Sequence, residues 1–213
     1  MVILKRMELR ETKRLLDLCR YENDLHIEGY EKIAGVDESG RGSLAGPLVA
    51  AAVILDKRKL MIEDIDDSKR LTESKRKSIF KKVIRSCLCW SVVKIPPERI
   101  DCLSITKANE IAFRKAVNSL KIKPDIILAD FISTDLGARY LRIVNGDRLI
   151  VSIAAASIVA KVIRDQIMLK LSRYYPEYGF EHNKGYGTRK HLMSLQKYGP
   201  TAIHRVSFRG VLS

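Results

Sequence analysis

Apolar residues in this chain fall into two kinds of run, and the contrast between them predicts most of its elements. Residues 33–36 and 48–55 are continuous and rich in Val, Ile and Ala, which predicts two buried strands. Residues 87–95 predict a third, stopped by Pro96-Pro97; Trp90 could offer a stacking platform for a base, but among Cys, Val and Ile it is expected in the core. Residues 125–130 are apolar between two acids. That run predicts a central parallel strand, reached through the helix before it. Elsewhere the apolar positions recur with a helical period. Leu9, Leu15, Leu16, Leu18 and Leu25 predict one or two amphipathic helices over residues 7–28. Thr72 leads into a helix from about Glu73, Ser104 caps one to about Leu120, and Thr188 caps a short one to about Gln196. Residues 152 to about 174 are apolar almost all round, as in a buried helix. Asn145-Gly146-Asp147 reads as a turn between strand-like runs at 140–144 and 149–151.

Polar residues that break these runs carry the candidate chemistry. Asp37 and Glu38 follow the first strand and lead into Gly40-Arg41-Gly42. A polar hairpin turn would explain the glycines but not two adjacent acids at the end of a core strand, where burying charge is costly. A dinucleotide fingerprint fits Gly40 to Ala45 formally, but Pro47 and a β-branched run follow where a helix must open. A site of hard oxygen ligands beside a glycine loop fits best, and it calls for further acids. Asp130 ends the predicted central strand, where parallel sheets place their sites; it would serve equally as a loop or capping carboxylate. Ser157, Lys161 and Asp165 form a polar stripe on the buried helix, either an intrahelical ion pair or a fourth carboxylate aimed at the strand ends.

Lys69 and Arg76 are candidates to meet phosphates, and Tyr186, between two glycines in a basic loop, is placed to stack on a sugar or base. His182, His191 and His204 lack zinc spacing and read as surface or hydrogen-bonding residues. Lys and Arg outnumber Asp and Glu by 39 to 25, a net charge of +14, which favours a polyanionic partner. The longest charge-free stretches, residues 42–55 and 149–160, are too short to span a bilayer even before Arg148 and Lys161 bound the second, and the charged N-terminal segment offers no signal-peptide core. The expectation is a cytoplasmic protein. Cys19, Cys87, Cys89 and Cys102 form no C-x-x-C pair and read as buried thiols.

The segments Ile33-Ala-Gly-Val-Asp-Glu-Ser-Gly-Arg-Gly42, Leu44-Ala-Gly-Pro47, Asp67-Ser-Lys-Arg-Leu71, the run from Ser152 to Asp165, Lys184-Gly-Tyr-Gly-Thr188 with His191, and His204-Arg-Val-Ser-Phe208 resemble ribonuclease HII, the type 2 ribonuclease H family, over residues 31–208. The resemblance implies an α/β fold, a ribonuclease H-like mixed sheet flanked by helices, with additional N-terminal and C-terminal helices. It implies a helical extension over residues 1–30, a catalytic domain over 31–213 and a substrate-binding helical region from about 174. The implied activity is hydrolysis of the RNA strand of RNA/DNA hybrids and incision 5′ to single ribonucleotides in duplex DNA, leaving 3′-hydroxyl and 5′-phosphate ends. The implied cofactors are Mg²⁺ or Mn²⁺, two ions with substrate bound, held by Asp37, Glu38, Asp130 and Asp165, with Asp37 bridging. Gly40, Arg41 and Gly42 match the loop that senses the 2′-hydroxyl, and Tyr186 matches the tyrosine that reads the ribo-to-deoxyribo junction. A monomer is implied. Phe131 stands where the family commonly has glycine and Ser39 where it has a small apolar residue; Asp135 is the fallback for Asp130. A non-catalytic hybrid-binding module of the same fold is the alternative.

Overall fold

The computed structural model describes residues 2–130 and 139–212; Phe131 and Asp135 lie outside the described residues. In chain order the elements are α1 (Val2–Ile27), β1 (Ile33–Ser39), β2 (Leu48–Leu55), α2 (Glu73–Ser86), β3 (Cys87–Ile95), α3 (Pro97–Leu103), α4 (Ile105–Asn118), β4 (Ile126–Ala129), β5 (Tyr140–Arg142), α5 (Gly146–Leu149), α6 (Val151–Leu171), α7 (Phe180–Asn183) and α8 (Arg189–Tyr198). Five strands form one mixed sheet in the order β3-β2-β1-β4-β5. β1–β2 and β2–β3 are antiparallel, while β4 runs parallel to β1 on one side and β5 on the other. The apolar run at 125–130 is therefore a parallel strand inside the sheet, as its composition predicts.

Strand alternation divides the core into two layers. Val49, Ala51, Val53 and Leu55 of β2 pack with Leu15, Leu18 and Cys19 of α1, Ile79 and Val83 of α2, and the apolar face of α6. Leu48, Ala50, Ala52 and Ile54 pack on the other side against Ala108, Ala112, Phe113 and Ala116 of α4. The continuous apolar composition of β2 follows from burial on both faces. Gly35 lets α6 lie directly on β1, because a Cβ there would fall on the backbone of Ser152.

α1 also joins α6 through a polar contact. Buried Glu22 accepts a hydrogen bond from the Ser152 backbone N–H at 2.8 Å, at a helix start whose own N-cap residue, Ile150, supplies none. A third apolar group, including Leu44, Met168, Phe180, Leu195 and Val211, fastens α7, α8 and the C-terminal loops to the glycine turn.

Several local expectations are corrected. Asp37 and Glu38 lie within β1, paired with Ala51 and Ala50, rather than in the turn after it. Residues 149–151 are not a strand: left-handed Asn145 opens the one-turn helix α5, and α6 follows directly. Pro97 does not merely stop β3, because it sits in the first turn of α3, where a missing N–H costs nothing. Trp90 is 40% exposed, on a strand at the sheet edge with only one strand beside it. Cys102 is exposed, unlike buried Cys19 and Cys89. The histidines, by contrast, divide as expected into surface and hydrogen-bonding residues: His182 is exposed, and His191 and His204 are buried and hydrogen-bonded. Among the described residues no helix is long and apolar enough to cross a membrane.

Candidate active site

β1 turns Asp37 and Glu38 to opposite faces of the sheet, and each meets a helix there. On the α6 side the Ser157 hydroxyl bonds the Asp37 carboxylate, and Ser157 Oγ lies 2.9 Å from Ser68 Oγ. On the α4 side the Asn109 side chain bonds Glu38. Burial, then the charge of adjacent Glu38, pushes the Asp37 carboxyl well above the usual carboxylate range. Burial also raises Glu38, with the positive charge of Arg41 the largest opposing influence. Two raised neighbouring acids near one strand end are a place where a cation would relieve their mutual repulsion.

Two further acids approach from the parallel side of the sheet. Val36 of β1 pairs with Ala129 of β4, so the next residues, Asp37 and Asp130, stand abreast where the strands end. Asp130 Oδ1 accepts from the Asn145 backbone N–H at 2.7 Å, which ties α5 to this edge. α5 carries buried Asp147, whose carboxyl is raised first by desolvation, then by Asp67 and, more weakly, Asp130. Arg148 donates to buried Asp67 at 3.1 Å and thereby clamps α5 to the loop that bears Ser68 and Lys69. Lys69 Nζ lies 3.6 Å from Asp147; against an opposing desolvation effect, Asp147, Asp37, Asp67 and Glu38 together raise its ammonium pKa. The lysine charge thus reports where four carboxylates converge.

Asp147 comes near these acids without a signal in the sequence: it ends a turn motif, and no helical or strand period marks a residue on a single helical turn. Asp165, the expected fourth ligand, is placed differently. Its carboxylate accepts from Lys161 at 2.7 Å and from Arg76 at 3.2 Å. Neither it nor Asp147 lines the cleft that Asp37, Glu38 and Asp130 share, but Asp147 is set against Lys69 of that cleft and feels the charge of Asp130, whereas Asp165 is committed to two cations. Eight residues of α-helix span about 12 Å, so the stripe that delivers Ser157 to Asp37 has passed beyond the strand ends by Asp165.

The cleft has a volume of about 610 Å³; its walls include Gly40, Arg41, Gly42, Lys69, Arg76, Lys161 and Tyr186 besides the acids. Two buried arginines shape the loop side of it. Arg164 donates to Ser43 Oγ and to the carbonyls of Ala45, Pro47 and Lys184; Arg205 donates to those of Arg41 and Gly46. Desolvation lowers both guanidinium pKa values, that of Arg205 to about 9. Gly185 O accepts from the N–H groups of Leu44 and Ala45, which brings Tyr186 against the glycine loop. The Tyr186 ring lies 5.3 Å from Arg164 and 5.7 Å from Lys161, so its face is held by cations while the ring remains partly exposed.

The donor chemistry fits a hard divalent ion: carboxylate oxygens, destabilised as anions, at the edge of a basic cleft. Among the described residues no three His, Cys, Asp or Glu side chains are grouped tightly enough to hold an ion alone. An open site of this kind suits Mg²⁺ or Mn²⁺, which take part of their coordination from water and substrate phosphate.

The ribonuclease HII family model matches residues 34–211. A ribonuclease HII of Caldicellulosiruptor bescii is 46% identical over 209 residues, covering 97% of this chain and 100% of that protein. The chain belongs to the ribonuclease HII family. The ribonuclease H2 of Pyrococcus horikoshii has the same fold, with a TM-score of 0.75 and 31% identity over 84% of this chain and 95% of that one. A more distant fold relative, Bst-RNase HIII in complex with Mn²⁺, has a TM-score of 0.62 at 18% identity, covering 84% of this chain and 68% of that one. Family membership makes this chain a metal-dependent endoribonuclease with ribonuclease H activity on RNA/DNA hybrids. The mixed sheet flanked by helices is the ribonuclease H-like fold implied by its motifs.

Proposed function

We propose that this ribonuclease HII also incises duplex DNA 5′ to a single embedded ribonucleotide, leaving 3′-hydroxyl and 5′-phosphate ends, with two Mg²⁺ or Mn²⁺ ions held at Asp37, Glu38, Asp130 and Asp147. The observation that carries the reading is the meeting of Asp37, Glu38 and Asp130 in one cleft, with Asp147 under the charge of Asp130 and 3.6 Å from Lys69 of the same cleft, beside a glycine loop and a tyrosine fastened to it. Asp165, ion-paired to Arg76 and Lys161, is assigned to holding those two cations at the cleft.

Bound divalent ions would supply water activation on one side of the phosphorus and stabilisation of the leaving oxygen on the other. The remaining work belongs to the chain. Asp37, beside Glu38 and abreast of Asp130, would be the central carboxylate among those holding the ions. Ser157 fixes its carboxylate on one side, and Asn109 fixes Glu38 on the other.

Recognition of the sugar falls to residues 40–42. A Cβ at Gly42 would meet nothing within 4 Å, so packing does not require glycine there. Close approach of a ligand to the backbone does, and the 2′-hydroxyl is the group that marks a ribonucleotide. Tyr186, beside that loop, packs against the deoxyribose that follows. Lys69, Lys161 and Arg41 offer positive charge to the flanking phosphates. Residues from about 174, including α7 and α8, form the substrate-binding region, and the chain acts as a monomer.

The test is cleavage of an end-labelled DNA duplex carrying one ribonucleotide, in Mg²⁺, Mn²⁺ or EDTA, with the cut mapped to the nucleotide. Metal-dependent incision on the 5′ side supports the reading. Cleavage confined to long hybrids would reject the single-ribonucleotide activity, and binding without incision in any metal would favour a non-catalytic module.

A further inference from the structure

Behind the Tyr186 loop, two buried histidines meet with their rings tilted by 45° in an aromatic pocket that no part of the cleaving chemistry uses. His191 and His204 are 0% and 2% exposed and packed by the rings of Tyr178 and Phe180 at centroid distances of 4.8–6.2 Å. Their Nε2 atoms are 3.1 Å apart. His191 Nδ1 lies 3.0 Å from the Tyr186 carbonyl oxygen, and His204 Nδ1 lies 2.9 Å from the Thr201 backbone nitrogen.

One proton arrangement satisfies these contacts together with the Thr201 hydroxyl, which also lies 2.9 Å from His204 Nδ1. The Thr201 N–H can only donate, so His204 Nδ1 accepts, the hydroxyl turns its own proton towards the same nitrogen, and the His204 proton sits on Nε2. That N–H points at His191 Nε2, which must accept, so the His191 proton sits on Nδ1 and is donated to the Tyr186 carbonyl. The chain of bonds runs one way, from Thr201 through both rings to Tyr186. A proton added to either ring would set two donors face to face.

We propose that His191 and His204 form a one-way hydrogen-bond relay that positions Tyr186 against the glycine loop, and so act as positioning residues for reading the ribo-to-deoxyribo junction. The proposal rests on the role given to Tyr186 above. Tyr186 needs such a hold because glycines flank it and its ring is partly exposed. The Gly185 carbonyl anchors one side of the loop to Leu44 and Ala45; the relay anchors the tyrosine's own carbonyl to the C-terminal loop. That loop is in turn bound to the glycine turn, since Arg205 N–H donates to Leu44 O and its guanidinium to Arg41 and Gly46. Burial lowers both ring pKa values, that of His204 to about 4 with the charge of His191 the next influence, while the backbone of Tyr186 opposes the shift at His191 and that of Thr201 at His204; the Tyr178 phenol is the neighbouring titratable group.

Two measurements test the relay. In the ¹⁵N-histidine NMR spectrum of the whole protein, assigned by His→Asn variants, His191 is expected as the Nδ1–H tautomer and His204 as the Nε2–H tautomer, neither titrating between pH 8 and 6. Both rings in one tautomer, or ordinary titration of either, overturns the relay. Steady-state kinetics then compare a duplex carrying one ribonucleotide with a continuous RNA/DNA hybrid, which offers no such junction. His191→Ala should lower kcat/KM on the first substrate on the order of tenfold more than on the second. His191→Asn keeps an N–H donor at the δ position and should restore most of that preference. Equal losses on both substrates, or no difference between the two variants, would mean a merely structural role. Tyr186→Ala judges the underlying reading separately: an unchanged junction preference sinks the role of Tyr186, while the tautomers still decide whether the relay exists.

Discussion

A side chain absent from Gly42 says as much about the site as those present at Asp37 or Asp147. At Gly40 the backbone is left-handed and a Cβ would collide with the Arg164 side chain, so glycine is structurally required. Gly42 has neither constraint. Gly42→Ala should therefore leave the urea midpoint of unfolding unchanged while cutting kcat/KM, whereas Gly40→Ala should lower both; a Gly42→Ala enzyme of full activity would remove that backbone from sugar recognition. The acids separate in the same way. Asp147→Asn should reduce kcat on the order of 10²- to 10³-fold with little change in stability. Asp165→Asn should leave Arg76 and Lys161 facing each other without an anion and cost stability of about 3 kcal/mol, with a smaller effect on kcat, read by paired denaturation and kinetic measurements. Asp37, Glu38 and Asp130 were legible in the sequence because each ends an apolar run, where an acid is conspicuous. Asp147 was not, because α5 is one turn long, and the partner that occupies Asp165, Arg76, comes from a helix 89 residues earlier.

α6 is the element on which the site's accuracy depends, and its seat on β1 is set by a missing side chain. Because a Cβ at Gly35 would fall on backbone atoms, which cannot rotate aside, Gly35→Ala must lift the start of α6 from the sheet. The expected cost is about 3 kcal/mol, the upper end for overpacking a core. The displaced helix carries Ser157 away from Asp37, so the rate should fall as well, by more than the unfolded fraction accounts for. A lower Tm with the folded enzyme fully active would show that Asp37 holds its position without α6. Periodicity revealed α6 and α4 as helices and β2 and β4 as buried strands, because burial imposes composition on long elements. It failed where tertiary contacts decide: an acid pair drawn into β1 by its ladder with β2, a helix start at Pro97, and Trp90 exposed on a strand whose sequence looks internal. It also gave α1 no role, because capping of α6 by Glu22 joins residues 130 positions apart.

Across the whole molecule the +14 charge sets how the enzyme meets a polyanion, but the cations of the cleft are not equivalent. Each phosphate neutralised by a mobile Lys or Arg releases counterions and steepens the fall of affinity with salt. The side chain of Lys69 is 77% exposed and reaches Asp147 at 3.6 Å, a contact loose enough for it to turn to a phosphate. Arg76, its side chain 10% exposed, is committed to Asp165 and to the carbonyls of Ser68 and Leu71. Binding of a non-cleavable hybrid analogue across a salt series should therefore give a log–log slope that is reduced by about one in Lys69→Ala. Arg76→Lys should leave the slope unchanged while weakening the fold, since a lysine cannot replace the guanidinium's three directed bonds. A slope unmoved by Lys69→Ala would mean that its ammonium stays with the acid cluster when substrate binds. Its charge would then serve to hold the carboxylates apart rather than to grip the nucleic acid.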